Sequence, residues 1–217
     1  MTGTCLGAAG DTLVTVNWRS KMITEMNLKT GKTLLSFTGQ ELVEPIAVCV
    51  NSVTGDICVS DNGLGAVMVF DKSGELKKKI SPAPPLTMRE MSALSSTADH
   101  LIVADTKILV FDIETGKLIK QIGSDGKETL KAKANVKKGR YCGLAVTEEG
   151  LIISARVDKS GGVVKIFDQE SGAETSVIDS WGHKLRRPTS VCTGVKNSEF
   201  LYVVDIGSDC VRKYRFK

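Results

Sequence analysis

Two histidines, six cysteines and a recurring aspartate are the side chains of this 217-residue sequence best suited to chemistry. A catalytic zinc is usually held by several His nitrogens on converging elements. His100 and His183 are the only histidines, and they stand 83 positions apart in dissimilar contexts (183 − 100). A His-built zinc site is therefore not expected. Cys5, Cys49, Cys58, Cys142, Cys192 and Cys210 form no Cys-x-x-Cys pair. A nucleophilic thiol needs a neighbouring base, and neither His is spaced to supply one. Cys5, Cys49, Cys142 and Cys192 read as small core residues, and the scatter of all six points to a reducing compartment. The third group is Asp61, Asp105 and Asp205, each closing a short apolar run. They could form an acidic ring for calcium, or each could cap its own turn by accepting backbone N–H groups. Asn17 and Ala155 occupy the same place in two further runs, which favours the cap. Gly-x-Ser-x-Gly, Walker and dinucleotide fingerprints are lacking. No catalytic residue, metal or cofactor is expected.

Cationic and aromatic residues are clustered instead. Trp18, Arg19 and Lys21 lie together, as do Lys127, Lys131, Lys133, Lys137, Lys138 and Arg140, next to Tyr141. A third cluster holds Trp181, His183, Lys184, Arg186 and Arg187, and Lys107, Arg156 and Lys159 are dispersed. Such residues suit an acidic protein partner, because Trp and Arg anchor interfaces. They also suit single-stranded RNA, with phosphates on Lys/Arg and bases stacked on Trp18 or Trp181. The plainer alternative is a set of solvated loops.

The elements that must carry these residues repeat at roughly 40 to 55 positions, a spacing typical of blade-like repeats. One apolar run ends in Asp, a short loop follows, and a second run ends in Phe-Asp before a Gly turn. The second unit reads Ile57-Cys58-Val59-Ser60-Asp61, then Val67-Met68-Val69-Phe70-Asp71 with Gly74. The third pairs Leu101–Asp105 with Ile108–Asp112, and the fourth pairs Leu151–Ala155 with Val163–Asp168. The first and last units, around Leu13–Asn17 and Leu201–Asp205, are more degenerate. A small, apolar segment precedes each pair, and a more polar one such as Leu76-Lys77-Lys78-Lys79 follows it. Four strands, a to d, joined by Gly, Asp and Asn turns describe a propeller blade. Strand a would line the crowded axis, and strands b and c would pack between blades. The expected fold is an all-β propeller of about five four-stranded antiparallel blades. Their ranges are about 2–40, 41–82, 83–123, 124–180 and 181–217, and the last lacks its outer strand. The basic clusters then fall on the d–a and b–c loops.

The b–c signature, with Pro before strand a in Glu44-Pro45-Ile46 and Arg187-Pro188-Thr189, resembles the NHL repeat over nearly the whole chain. The ending Asp209–Phe216 resembles the C-terminus of the propeller in tripartite-motif (TRIM) NHL proteins. Many of those are ubiquitin ligases whose activity resides in RING domains, and no such zinc motif occurs here. The resemblance implies a non-enzymatic, partner-recruiting module, with RNA binding as the alternative and a metal-dependent lyase disfavoured. NHL propellers usually have six blades, so an open or incomplete ring is expected.

The composition agrees with a globular domain: 41% hydrophobic, 25% charged, and a net charge of +4 that is too small to imply nucleic acid by itself. The sequence contains no apolar run long enough to span a membrane, and residues 1–10, with no basic or apolar stretch, are not expected to act as a secretory signal. A cytoplasmic location, a protein partner, no membrane contact and no small-molecule cofactor are expected, with single-stranded RNA as the second candidate ligand.

Overall fold

The structure is a computed structural model that describes residues 3–123, 139–159, 161–178, 184–194 and 199–216. Every regular element among these residues is a β-strand. The first sheet contains β1 (Gly3–Leu6), β2 (Thr12–Asn17), β3 (Met22–Asn27) and β4 (Thr33–Thr38); the second contains β5 (Pro45–Val50), β6 (Ile57–Asp61), β7 (Ala66–Phe70) and β8 (Leu76–Ile80). The third holds β9 (Ala93–Ser96), β10 (His100–Ala104), β11 (Ile108–Asp112) and β12 (Leu118–Ile122). The fourth holds β13 (Arg140–Val146), β14 (Leu151–Asp158), β15 (Gly161–Asp168) and β16 (Glu174–Ile178). The fifth has three described strands, β17 (Pro188–Thr193), β18 (Phe200–Asp205) and β19 (Cys210–Arg215). Strand order follows the sequence in each sheet, the meander expected of propeller blades. The fold is thus an all-β, five-bladed propeller type whose last blade has three strands.

The chain divides into two compact units, Met1–Val103 with Val110–Ile119 and Ala104–Leu109 with Lys120–Lys217. In the first unit β1 runs beside β5 and β5 beside β9, so consecutive strands a are neighbours. Small residues make this approach possible: a Cβ on Gly3 would stand 2.8 Å from the Ala47 Cα. The interior between the first two blades is Val14, Val16 and Ile23 against Val48, Ile57, Val59, Met68 and Phe70. Strict alternation along Thr12–Asn17 places Val14 and Val16 on that side. β6 and β7 are buried on both faces; β7 is a continuous apolar run, and β6 is an apolar run that ends in Ser60 and Asp61.

In the second unit β13 lies beside β17. Gly143 sits at the contact with φ +67°, and a Cβ there would come within 2.5 Å of the Val191 amide nitrogen. Both demands point to glycine. Ala145, Ile153, Ala155, Val164 and Ile166 form the core with Leu185, Val191, Leu201 and Val203.

Each c–d turn is organised by one side chain. Asp71 Oδ1 accepts the Ser73 N–H and hydroxyl, Asp112 Oδ1 accepts those of Thr115, and Asp168 Oδ1 those of Ser171. Asn27 does the same for Lys29 and Thr30 in the first blade. Hydroxyl donation from Ser73, Thr115 and Ser171, joined by backbone N–H groups, holds the three carboxyls below the usual range. The Phe-Asp of the repeat is therefore a buried ring followed by a turn cap.

The core expectation holds for Cys49 and Cys142, which are buried, and fails for Cys192, which is exposed; Cys5 is half-buried. Cys192 pairs with the half-buried Tyr202, whereas Cys49 pairs with the buried Cys58. The sulfur cluster of the first unit is unreactive by its surroundings. Burial, reinforced by Cys58 and Glu25, pushes the Cys5 thiol up to about 12. Hydrogen bonding to Cys58, together with burial, raises Cys49 well above its ordinary value.

Candidate binding surface

The aspartate closing strand b has a larger role than capping its own turn. Asp61 is fully buried. Its carboxylate accepts the Leu64 N–H of its own turn, and it also accepts the N–H groups of Val43 at 2.6 Å and Glu44 at 3.0 Å. Those two residues directly precede Pro45, the first residue of β5. Asp205 repeats the arrangement: it accepts the Arg186 N–H at 3.1 Å, the Arg187 N–H at 2.7 Å and the Ser208 hydroxyl at 2.8 Å. Pro188 follows these and opens β17. A return bond completes each staple, from Asn62 N–H to the Glu44 carbonyl and from Ile206 N–H to the Arg187 carbonyl. Burial alone would push the Asp205 carboxyl up, but the two backbone donors, Ser208 and the nearby Arg212 guanidinium outweigh it and hold it low. The proline itself has no N–H to donate, so the carboxylate's donors from this segment are the two preceding amides.

This staple fixes a backbone and frees its side chains. In the second blade it presents Val43 and Glu44, both exposed; in the fifth it presents Arg186 and Arg187, both exposed. Lys184, also exposed, adjoins them. Gly207 is required beside this pair, since a Cβ there would approach the Arg186 and Arg187 Cβ atoms to 2.7 and 2.9 Å.

The fourth blade departs from the sequence expectation. Ser60 pairs with Val67 and Val67 with Ile80 in the second blade, while Ala155 pairs with Val164 and Val164 with Ile178 in the fourth. Ala155 therefore corresponds to Ser60, and Arg156 stands where the other blades carry Asp61 or Asp205. Its strand-a partner is Tyr141, as Pro45 and Pro188 are partners of those aspartates. Arg156 lies inside β14 and not in a b–c loop as expected, because the β14–β15 hairpin continues to Asp158 and Gly161. Its guanidinium sits 5.5 Å from the Tyr141 ring centroid and donates to the Gly123 carbonyl at 3.4 Å. The Tyr141 hydroxyl donates to the same carbonyl at 3.3 Å. A cation that donates to the d–a connection thus replaces a carboxylate that accepts from it, and Arg156 is a structural tie.

Arg140 opens β13 instead of lying in the preceding loop, and it is exposed. In the first unit, Trp18, Arg19 and Lys21 form the β2–β3 turn. Trp18 is 45% exposed with the Arg19 guanidinium 5.3 Å from its ring centroid, and Lys21 adopts φ +56°. Asn17 Oδ1 accepts the Arg19 and Ser20 N–H groups, so this turn is capped locally. Lys107 Nζ lies 3.5 Å from Gln121 Oε1. Lys131, Lys133, Lys137, Lys138, Trp181 and His183 lie outside the described residues. His100 opens β10. No helix among the described residues is long and apolar enough to cross a membrane, which leaves strand-built membrane proteins unaddressed.

No protein-family profile matches the chain, and no curated protein does. Among solved structures it is similar to a chain of Kuenenia stuttgartiensis hydrazine synthase, with a TM-score of 0.69 at 14% identity. The match covers 93% of this chain and 54% of that one, so the protein spans about half the length of its structural neighbour. That neighbour is one of 1129 matching chains, so the likeness marks a widely used scaffold and carries the fold alone.

Proposed function

We propose that this protein is a non-enzymatic binding propeller of the NHL type, related to the partner-recruiting propellers of TRIM-NHL ubiquitin ligases. Its working surface includes Arg186 and Arg187, and its ligand is an acidic face of a protein. The observation that carries this reading is the Asp–x–Pro staple. One rigid backbone device recurs in two blades yet displays Val43-Glu44 in one and Arg186-Arg187 in the other. A scaffold that holds loop backbones and varies their side chains suits recognition. Two guanidinium groups on an ordered backbone lose less freedom on binding than they would on a mobile loop. The pairing of staple and pre-strand proline in Glu44-Pro45 and Arg187-Pro188 also supports the NHL assignment.

A second reading, single-stranded RNA, is favoured by Trp18 with Arg19 over its ring, a surface on which a base could stack. The two readings separate experimentally. The wild-type chain and an Arg186→Glu/Arg187→Glu variant are used to capture partners with and without nuclease. A protein set that survives nuclease and is lost in the variant supports the proposal. Binding to randomised single-stranded RNA that weakens steeply with salt supports the second reading. Capture identical for both chains would refute the first.

A further inference from the structure

The segment Leu185–Pro188 is braced by two blades. Asp205 of the fifth blade holds the Arg186 and Arg187 amides. The fourth blade holds the residue before them: Gly162 forms a bridge with Leu185 and donates its N–H to the Leu185 carbonyl at 2.8 Å. Gly162 also packs on the far end, since a Cβ there would stand 2.5 Å from the Pro188 ring. Beside the two arginines lies a bare stretch of backbone. Asp205-Ile206-Gly207 repeats Asp61-Asn62-Gly63, and in both blades the glycine lies against the side chains that its staple displays. A Cβ on Gly63 would meet Val43, and one on Gly207 would meet the Arg186 and Arg187 Cβ atoms at 2.7 and 2.9 Å. The flanking N–H groups of Ile206 and Ser208 donate to the Arg187 and Asp205 carbonyls. The half-buried Gly207 N–H donates to no acceptor among the described residues. Neither guanidinium of the pair has a carboxylate partner among those residues. Asp205 is taken by backbone amides, Ser208 and Arg212, and Asp209 forms no ion pair with either arginine.

We propose, resting on the protein-binding reading of this surface, that Arg186, Arg187 and the Gly207 amide receive a phosphorylated serine or threonine of the partner. Charge favours a phosphomonoester over a carboxylate. Lys184, Arg186 and Arg187 are displayed beside a single buried carboxylate that is already compensated. A phosphomonoester brings about −1.5 to −2 charges and three acceptor oxygens, where Asp or Glu brings one charge and two oxygens. Two guanidinium forks rooted on either side of one glycine can each bond two phosphate oxygens, sharing the third. The Gly207 N–H adds a backbone donor of the kind that lines phosphate cradles, and the missing Cβ lets the group approach it. A nucleic-acid phosphodiester fits less well. It carries one charge, and residues 184–188 and 205–209 include no aromatic ring on which a base could stack.

The probe is a labelled pool of short peptides with a central phosphoserine and randomised flanks. Its controls carry Ser or Glu at the centre, and all are measured at one ionic strength. The phosphorylated pool should bind roughly tenfold more tightly than the Glu pool. It should also move the Gly207 amide and the Arg186 and Arg187 Nε–H resonances, a readout that needs no variant. Arg186→Lys/Arg187→Lys keeps the charge and removes the forks. It should weaken the phosphorylated pool roughly tenfold and the Glu pool by less than about twofold. Phosphatase treatment of a lysate before capture separates this proposal from the protein-binding reading. Nuclease-resistant partners that are lost after phosphatase support the proposal. Partners retained after phosphatase overturn it and leave the protein-binding reading standing, whereas capture identical for wild type and Arg186→Glu/Arg187→Glu defeats both. Equal binding of the phosphoserine and Glu pools, an unmoved Gly207 amide, or unchanged phosphoserine binding in the lysine variant would each overturn the proposal.

Discussion

Asp61→Asn isolates the staple with the smallest possible change. The carboxylate is buried and serves three backbone donors, Val43, Glu44 and Leu64. Asparagine has the same shape but one oxygen, so an amide N–H₂ replaces one acceptor and faces a backbone donor. A hydrogen bond to a charged acceptor contributes about 1.5–3 kcal/mol, and an orphaned buried donor costs about 1–3 kcal/mol. Val43 and Glu44 border solvent, so water recovers part of this, and the expected loss is about 3 kcal/mol. With a urea slope of about 1–3 kcal/mol per molar, the midpoint should fall by roughly 1–3 M. The assay is urea unfolding followed by tryptophan fluorescence, with amide exchange at Val43 and Glu44 as the local reporter. Asp71→Asn is the internal control, because Asn27 already performs that role in the first blade; its midpoint should not move resolvably. If Asp61→Asn leaves both midpoint and exchange unchanged, or if the two substitutions are equally harmful, the staple is not what holds the loop.

Three further outcomes follow from the same structure. The Asp205 carboxyl is held below its ordinary value, so its contribution is complete above the unfolded carboxylate value of about 3.9 and is lost as pH falls through the lower folded value. The Arg186 and Arg187 amide resonances should titrate together with a midpoint below about 3.9, and a midpoint at or above that value would contradict the assignment. Gly143→Ala combines a left-handed backbone with a near contact to Val191, and should destabilise by about 2–4 kcal/mol in urea melts. Brief alkylation at pH 8 read by mass spectrometry should label Cys192 and Cys210, while Cys5, Cys49, Cys58 and Cys142 stay unmodified until the chain unfolds. Rapid native labelling of Cys49 would refute the buried-cluster description.

The blade pattern was legible because its signals are local. Alternation along Thr12–Asn17, the apolar runs at Ile57–Val59 and Ala66–Phe70, and the Asp-turn-Gly punctuation each act within a few residues. The short last blade was visible for the same reason. What escaped was tertiary. Asp61 meets Val43 and Glu44 from 17 to 18 positions away, and nothing in its neighbours signals a second loop beyond the proline at 45. Arg156 was misplaced by one position because the apolar run of β14 begins one residue early: Ile152 stands opposite Phe167 as Ile57 stands opposite Phe70, so a five-residue run counted from Leu151 ends at Ala155. Cys192 looked like Cys49 from its strand position, yet it is exposed where Cys49 is buried. The basic pair Arg186-Arg187 was recognisable as a cluster, but its fixed backbone was not.

The most direct test of the central claim is partner capture by the intact chain against the Arg186→Glu/Arg187→Glu variant, with circular dichroism and urea midpoint confirming that both fold alike. The proposed function requires a nuclease-resistant protein set enriched on the wild type and lost on the variant. The same proteins retained by both chains, or a wild-type capture that disappears entirely with nuclease, would contradict it.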